Sequence, residues 1–205
     1  MRLYFVRHGE SAANLLREFS NSGCKHPLTE EGRTQAQTLA CSLSGQRFSL
    51  IYTSPILRAL QTAQILAEHL DAPLETSEAL REWSVGIYEG TTDPAGWEVH
   101  RQVQEDWFVH HKWESKLPGG ESLLEIQARF VPFIDGLVAQ AGAADQNLLC
   151  VSHGGLYRAM LPVVLKNVDH AFAAEHGFPY TACVVAEGRA DGLYCCSWCG
   201  FPVTS

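Results

Sequence analysis

The sequence predicts an α/β fold, a mainly parallel sheet with helices packed on both faces. Two observations carry this. Short apolar strands give way to helices through tight loops three times along the chain, which is the signature of parallel strands joined by crossovers. At 205 residues, 46% apolar and 19% charged, the chain is also long enough to bury a core against such a sheet. It reads as one domain spanning residues 1–205, with an insertion at about 83–118.

Residues 2–6 form the first expected strand, ended by a turn at Gly9 and followed by a polar helix start at Ser11 to Asn14. Thr29-Glu30-Glu31 then caps a helix that repeats Ala36, Leu39, Ala40 and Leu43 on one face as far as Gly45. Leu50 to Thr53 is a second strand. Ile56 to Leu70 is a helix with Ile56, Leu60, Ala63 and Leu66 or Ala67 on one side. After Pro73 the pattern loosens, and Arg81 to Trp113, rich in Trp, His and acidic residues, is expected to be irregular.

Pro118-Gly119-Gly120 breaks the chain before a long amphipathic helix through Leu123, Ile126, Phe130, Phe133, Ile134 and Leu137. Asn147 to Ser152 is the third strand, running through Gly154-Gly155 into a helix from 156 to about 166. Thr181 to Glu187 and Gly192 to Ser197 are expected to pair as a hairpin.

A net charge of -8 argues against a broad basic face and so against nucleic acid as a partner. A small anion can still be bound where a few arginines converge. The apolar run from Met1 to Val6 is too short for a signal peptide, and no segment approaches the ~20 apolar residues of a membrane span, so the expected location is cytoplasmic. Seven scattered cysteines without an export signal argue against a disulfide framework. Cys195, Cys196 and Cys199 contain a C-x-x-C, but no second pair completes a zinc site, and they read as thiols on or beside a terminal strand.

Sheets of this kind hold ligands beyond the carboxyl ends of their strands, which directs attention to residues 7–14, 54–58 and 152–155. Each segment carries residues suited to phosphate chemistry. The first has Arg7, His8 and Asn14, the second Ser54 and Arg58, and the third Ser152, His153, Gly154 and Gly155. A histidine that attacks phosphorus needs one unprotonated ring nitrogen and a neighbour that fixes the other, and the turn at Gly9 can supply backbone for that. Arg7 and Arg58 offer planar, permanently charged donors for the phosphoryl oxygens, and His153 can donate to the transferring group without attacking it.

A leaving alkoxide also needs a proton, and one carboxylic acid can serve both half-reactions. Glu82, beside Trp83, is preferred because aromatic surroundings raise a carboxyl pKa. Glu89 and Glu10 are rivals by charge, and pattern alone does not separate the three.

These residues resemble the histidine phosphatase superfamily, which includes the cofactor-dependent phosphoglycerate mutases. The resemblance runs through Arg7-His8-Gly9-Glu10-Ser11 with Asn14, Pro27-Leu28-Thr29 with Gly32 and Gln35-Ala36, and Thr53-Ser54-Pro55 with Arg58 and Gln61-Thr62-Ala63. It continues through Leu80 and Glu82 with Gly86 and Glu89-Gly90, then Gly119-Gly120-Glu121-Ser122 and Val151-Ser152-His153-Gly154-Gly155, covering roughly residues 2–165. It implies a three-layer α/β/α sandwich of the phosphoglycerate mutase-like type, a phosphorylated His8, a phosphate pocket completed by Arg7, Arg58 and His153, and Glu82 as proton donor. It further implies that Asn14 and the backbone around Ser22-Gly23 line the site, and that neither metal nor organic cofactor is needed. The expected activity is hydrolysis of a small phosphomonoester.

Three other readings compete. A mutase of this family uses a longer, more basic insertion and a tail closing over the site. Here the insertion holds Arg101, Lys112 and Lys116 against Glu98, Glu105, Asp106 and Glu114, and no basic residue follows Ser197. A catalytically dead phosphate-binding module is disfavoured because no pocket member is missing. A cysteine phosphatase is disfavoured because Cys41 of the first C-x5-R lies near a helix end and Glu187 would place a carboxylate inside the second. Trp83, Trp97, Trp107, Phe108 and Trp113 cluster in or beside the insertion, and either face a ring-bearing substrate at the pocket mouth or pack a mini-core. His100, His110 and His111 read as a solvated face rather than a metal site.

Overall fold

The structure is a computed structural model that describes residues 1–140 and 146–203. Seven strands form one sheet in the order β3-β2-β4-β1-β5-β6-β7: β1 (Arg2–Arg7), β2 (Leu50–Thr53), β3 (Leu74–Thr76), β4 (Asn147–Ser152), β5 (Cys183–Arg189), β6 (Gly192–Trp198) and β7 (Phe201–Pro202). The first four pair in parallel, and β5, β6 and β7 are added antiparallel at one side. The helices are α1 (Ala12–Leu16), α2 (Glu30–Leu43), α3 (Leu57–Leu70), α4 (Pro94–Phe108), α5 (Leu123–Gln140), α6 (Gly154–Val164) and α7 (His170–His176).

The period of two along the strands divides the core into two layers. Tyr4 and Val6 of β1, with Leu149 and Val151 of β4, pack on Ala40 and Leu43 of α2 and on Ala59, Ala63 and Leu66 of α3. Leu3 and Phe5, with Leu148 and Cys150, face the other way, against Ile126, Phe130 and Ile134 of α5 and Leu156, Tyr157 and Met160 of α6. The predicted α/β/α sandwich is therefore present.

Several elements differ from expectation. The stretch expected to be irregular contains α4, whose N-cap Asp93 accepts from the Ala95 amide at 2.9 Å and whose first residue is Pro94. Its buried face is carried by Gly96, Val103 and Trp107, and aromatic and histidine residues between them obscured the helical period. The short β3 and α7 were not anticipated. The helix after β4 starts at Gly154 rather than at residue 156, with His153 at its N-cap in spite of the two glycines, and it ends at Val164. The first hairpin strand is shifted by two residues, to Cys183–Arg189, and the second runs one residue further, to Trp198, which leaves a tighter turn.

The ends of the segment that carries α4 are pinned together. Ile87 donates its amide to Pro118 and Glu121 donates its amide to Ser84, at 3.0 and 2.9 Å. Gly86, at φ +58°, lies so close to Pro118 that a Cβ there would sit 2.0 Å from its carbonyl oxygen. Gly96 likewise lets α4 approach Tyr88 and Phe19. These contacts hold α4 over the carboxyl ends of the strands.

The tail returns to the sheet as β7, and residues 204–205 lie outside the described residues. Cys195 is buried, Cys196 and Cys199 are half-buried, and all three are free thiols on β6 and the turn after it. Among the described residues no helix is long and apolar enough to cross a membrane.

Candidate active site

Strand register brings the predicted residues together. Arg7 is paired with Ser152 across β1 and β4, and Thr53 with Val151 across β2 and β4. His8, Ser54 and His153 each follow a strand end by one residue, and they converge, with the two imidazole rings 5.1 Å apart. All three are buried.

His8 is held from both sides. Its Nδ1 faces the Gly9 carbonyl at 2.6 Å, which assigns the ring proton to Nδ1 and leaves the lone pair on Nε2. Burial, reinforced by the charges of Arg58 and Arg7, pushes the pKa well below the usual imidazole value, while the Gly9 carbonyl works against the shift. The ring is neutral at physiological pH, with Nε2 unprotonated. The loop itself is backed by α2, where a Cβ on Gly9 would lie 2.4 Å from the Gly32 carbonyl and one on Gly32 only 2.0 Å from that of Glu10. Two backbones meet where no side chain fits.

Arg58, in the first turn of α3 and 5% exposed, donates Nε to His8 Nε2 at 3.0 Å. Its Nη1 donates to the Ser20 carbonyl and its Nη2 to His153 Nδ1 at 3.1 Å. Burial lowers its pKa to about 10, with Glu82 opposing, so it stays charged. Arg7 donates to the Phe178 carbonyl at 2.6 Å and stacks over Tyr180, 4.2 Å from the ring centroid. Its Nε is buried with no hydrogen-bond partner among the described residues, and Gly154 lies against it so closely that a Cβ there would be 3.0 Å away.

His153 stands beside His8, with its ring centroid 5.1 Å from that of His8. Its Nδ1 accepts from Arg58 and its Nε2 donates to Ser54 Oγ at 2.8 Å, so both ring nitrogens are engaged behind Arg58 and the ring is absent from the cavity wall.

The three acids separate clearly. Glu82 lines the cavity, accepting from the Trp83 amide at 3.1 Å and from the Gly155 amide, near the start of α6, at 3.0 Å. Burial raises its pKa, opposed by the Trp83 amide, Arg58 and the Gly155 amide. Glu10 instead accepts from Thr29 Oγ1, 2.9 Å away at the cap of α2. Glu89 gathers the Asn21 and Ser22 amides and Ser22 Oγ at 2.9–3.1 Å and so shapes the loop whose Ser20 carbonyl holds Arg58. Its loop-holding role could not be read from spacing, because its partners lie more than sixty residues away.

A cavity of about 390 Å³ opens in front of His8. Asn14 lines it, with Oδ1 committed to the Ser11 amide and hydroxyl, so Nδ2 is the group it can offer a ligand. From the next loop Ser20 and Asn21 reach the wall, whereas Ser22 and Gly23 are exposed and lie just outside it.

The far wall is built by α4. Trp97, His100, Arg101 and Gln104 follow one helical face into the cavity at i, i+3, i+4 and i+7. His100 is no solvated residue: it stacks on Trp83 at 4.5 Å, and burial together with Arg158 lowers its pKa to about 4. His110 and His111 are exposed as expected. The aromatic cluster is divided, with Trp83 and Trp97 at this cavity, Trp107 buried in the core, and Phe108 and Trp113 in a separate groove beside α7.

The order and spacing of these residues match a family model over nearly the whole chain, residues 3–199, that of the histidine phosphatase superfamily (branch 1). The chain belongs to this superfamily. Among its relatives, an acid phosphatase of Mycobacterium tuberculosis is 34% identical, with 78% of this chain and 73% of that protein covered. A 2,3-bisphosphoglycerate-dependent phosphoglycerate mutase of Gloeobacter violaceus is 30% identical, with 94% and 88% covered. The structure of a mycobacterial glucosyl-3-phosphoglycerate phosphatase superposes with a TM-score of 0.76 at 27% identity, with 96% and 97% covered. Histidine phosphatases of this branch thus share the phosphoglycerate mutase-like α/β fold with the present chain.

Proposed function

We propose that the protein is a phosphomonoester hydrolase working through a phosphohistidine on His8. The observation that carries this is the Nδ1 contact to Gly9, which leaves Nε2 unprotonated and directed at Arg58 in the cavity. An incoming phosphoryl group takes the guanidinium in exchange for that lone pair. Nε2 then attacks phosphorus and the bond to the leaving oxygen breaks. Glu82, protonated, gives its proton to the departing alkoxide. In the second half-reaction the Glu82 carboxylate removes a proton from water, the resulting hydroxide forms a bond to phosphorus, and the P–N bond breaks to release phosphate. Arg7 Nε and Arg58 stabilise charge on the non-bridging oxygens in both steps. Asn14 and the Gly154-Gly155 backbone complete the phosphate surroundings. None of these steps calls on a metal or an organic cofactor.

Hydrolysis rather than transfer is supported by the wall opposite His8. There α4 contributes Trp97, His100 and Gln104, and its one cation, Arg101, is paired with Glu98 and Glu105. Phe201–Pro202 are stitched into the sheet as β7, three strands away from β1. The test is phosphate release from an aryl phosphate in the presence of a chelator, beside His8→Ala and Glu82→Gln. Activity in chelator that vanishes in His8→Ala, with an acid-labile phosphoenzyme trapped in the wild type, supports the reading. Activity that survives His8→Ala overturns it. Transfer of the phosphoryl group to phosphoglycerate faster than to water would replace hydrolase with mutase.

A further inference from the structure

The wall that α4 presents has no part in the phosphoryl chemistry, yet it is built with care. Trp97 is 38% exposed. One of its faces stacks on Phe19 at 3.8 Å, and its Nε1 donates to the Arg17 carbonyl at 3.0 Å, so the ring is held in place while part of it stays open. His100, one turn further along, stacks on Trp83, and its ring nitrogens have no hydrogen-bond partner among the described residues. Across the cavity Arg158 of α6 likewise makes no hydrogen bond or ion pair there, and its charge helps to keep the imidazole neutral. A neutral imidazole offers one donor and one acceptor to a ligand, and a fixed indole offers a flat apolar surface at little entropic cost.

Building on the hydrolase reading, we propose that Trp97 and His100 form a leaving-group subsite for ring-bearing phosphomonoesters, with the ring laid against Trp97 and a polar ring atom or hydroxyl bonded to His100. Phosphate at His8 and a ring at α4 then occupy opposite ends of one cavity. His100 and Trp97 set specificity and take no part in bond making.

The experiment compares esters of alcohols of similar acidity, so that leaving-group chemistry cancels: benzyl phosphate, pyridylmethyl phosphate and butyl phosphate. Wild type is expected to favour benzyl over butyl phosphate in kcat/KM by about tenfold, the worth of one well-placed aromatic contact. In Trp97→Leu the ratio falls toward one. In His100→Phe, which keeps a ring on Trp83, the pyridylmethyl-to-benzyl ratio falls while the benzyl-to-butyl ratio persists. Calorimetric binding of benzyl, pyridylmethyl and butyl phosphonates, which cannot be hydrolysed, reads the subsite without turnover. If no ester releases phosphate, the hydrolase reading fails, and the phosphonates still decide the subsite. Equal binding of ring and open-chain phosphonates by the wild type, or a ring preference unchanged in Trp97→Leu, overturns it. So does tighter binding of carboxyethylphosphonate, included in the panel as a probe with a second anionic group, than of benzyl phosphonate, which would transfer the role to Arg158.

Discussion

Arg58 donates its Nε to the Nε2 of His8 at 3.0 Å while its two remaining nitrogens reach the Ser20 carbonyl and His153 Nδ1. One planar group therefore covers Nε2 of His8, ties α3 to the 20–22 loop and fixes the second histidine. Replacing it is expected to be costly. Arg58→Ala should lower kcat by about 10²–10³-fold, the range seen when a preorganised oxyanion donor is removed. Arg58→Lys should recover little of this, since a point charge cannot serve three directions at once. Steady-state kinetics on an aryl phosphate checks both, and a lysine variant near wild-type activity would show that charge alone suffices.

The pH dependence follows from two opposed shifts. Burial raises the Glu82 pKa, so the acid needed for the first step persists above the ordinary carboxylate range. Burial lowers that of His8, so the nucleophile proposed for the reaction stays unprotonated below the ordinary imidazole range. The pH profile of kcat/KM should be bell-shaped with an acidic optimum, and Glu82→Gln should remove its alkaline limb. An unchanged alkaline limb in that variant would take the proton-donor role away from Glu82.

Stability should fall in acid. His8, His100 and His153 have folded pKa values below their unfolded ones, so the stability they contribute is present above about 6.5 and is lost as pH falls through the folded values. For His100 that window runs from the ordinary imidazole value down to about 4. Thermal melts across this interval should show a declining Tm, and His100→Phe should flatten part of the decline. A His100→Phe melt curve parallel to wild type across the window would contradict it.

Two glycines give opposite outcomes. A Cβ on Gly155 would stand 2.8 Å from both carboxylate oxygens of Glu82, so Gly155→Ala should displace the acid and lower kcat by roughly 10²-fold, as an ångström of misplacement can. Gly136, inside α5, has nothing within 4 Å of its missing Cβ, and Gly136→Ala should stabilise the fold by about 0.5–1 kcal/mol without touching activity. Denaturant titration and kinetics on the pair separate the two effects.

Glu89 should act on binding. Its carboxylate collects three donors from Asn21 and Ser22, and its removal frees the loop that carries the Ser20 carbonyl. Because the site is exposed, the loss should be moderate, about tenfold in kcat/KM and mostly through KM. A purely catalytic defect with KM unchanged would show that the loop does not need this anchor.

Much of the site was legible in the sequence because parallel strands deliver residues at their carboxyl ends. His8, Arg58 and His153 needed only the strand boundaries to be located. What escaped depended on partners distant in the chain. Spacing placed His153 near the phosphate, but only three-dimensional packing shows both its nitrogens engaged by Arg58 and Ser54. Glu89 looked like a rival acid because its charge was visible and its loop partners were not. The helix α4 was hidden for another reason: it buries Val103 and Trp107 in the core and turns Trp97 and His100 to the cavity, so apolar residues appear on more than one side and blur the period.

The contact of Gly9 with Gly32 carries a lesson for anyone who reshapes this protein. Neither glycine has a side chain to touch a ligand, and Gly32 belongs to the outer helix α2. A mutant library restricted to cavity-facing positions would skip Gly32. Yet a single added methyl there presses on the backbone of Glu10, two residues from His8, so tolerance to change in this molecule is not ordered by distance from the cavity.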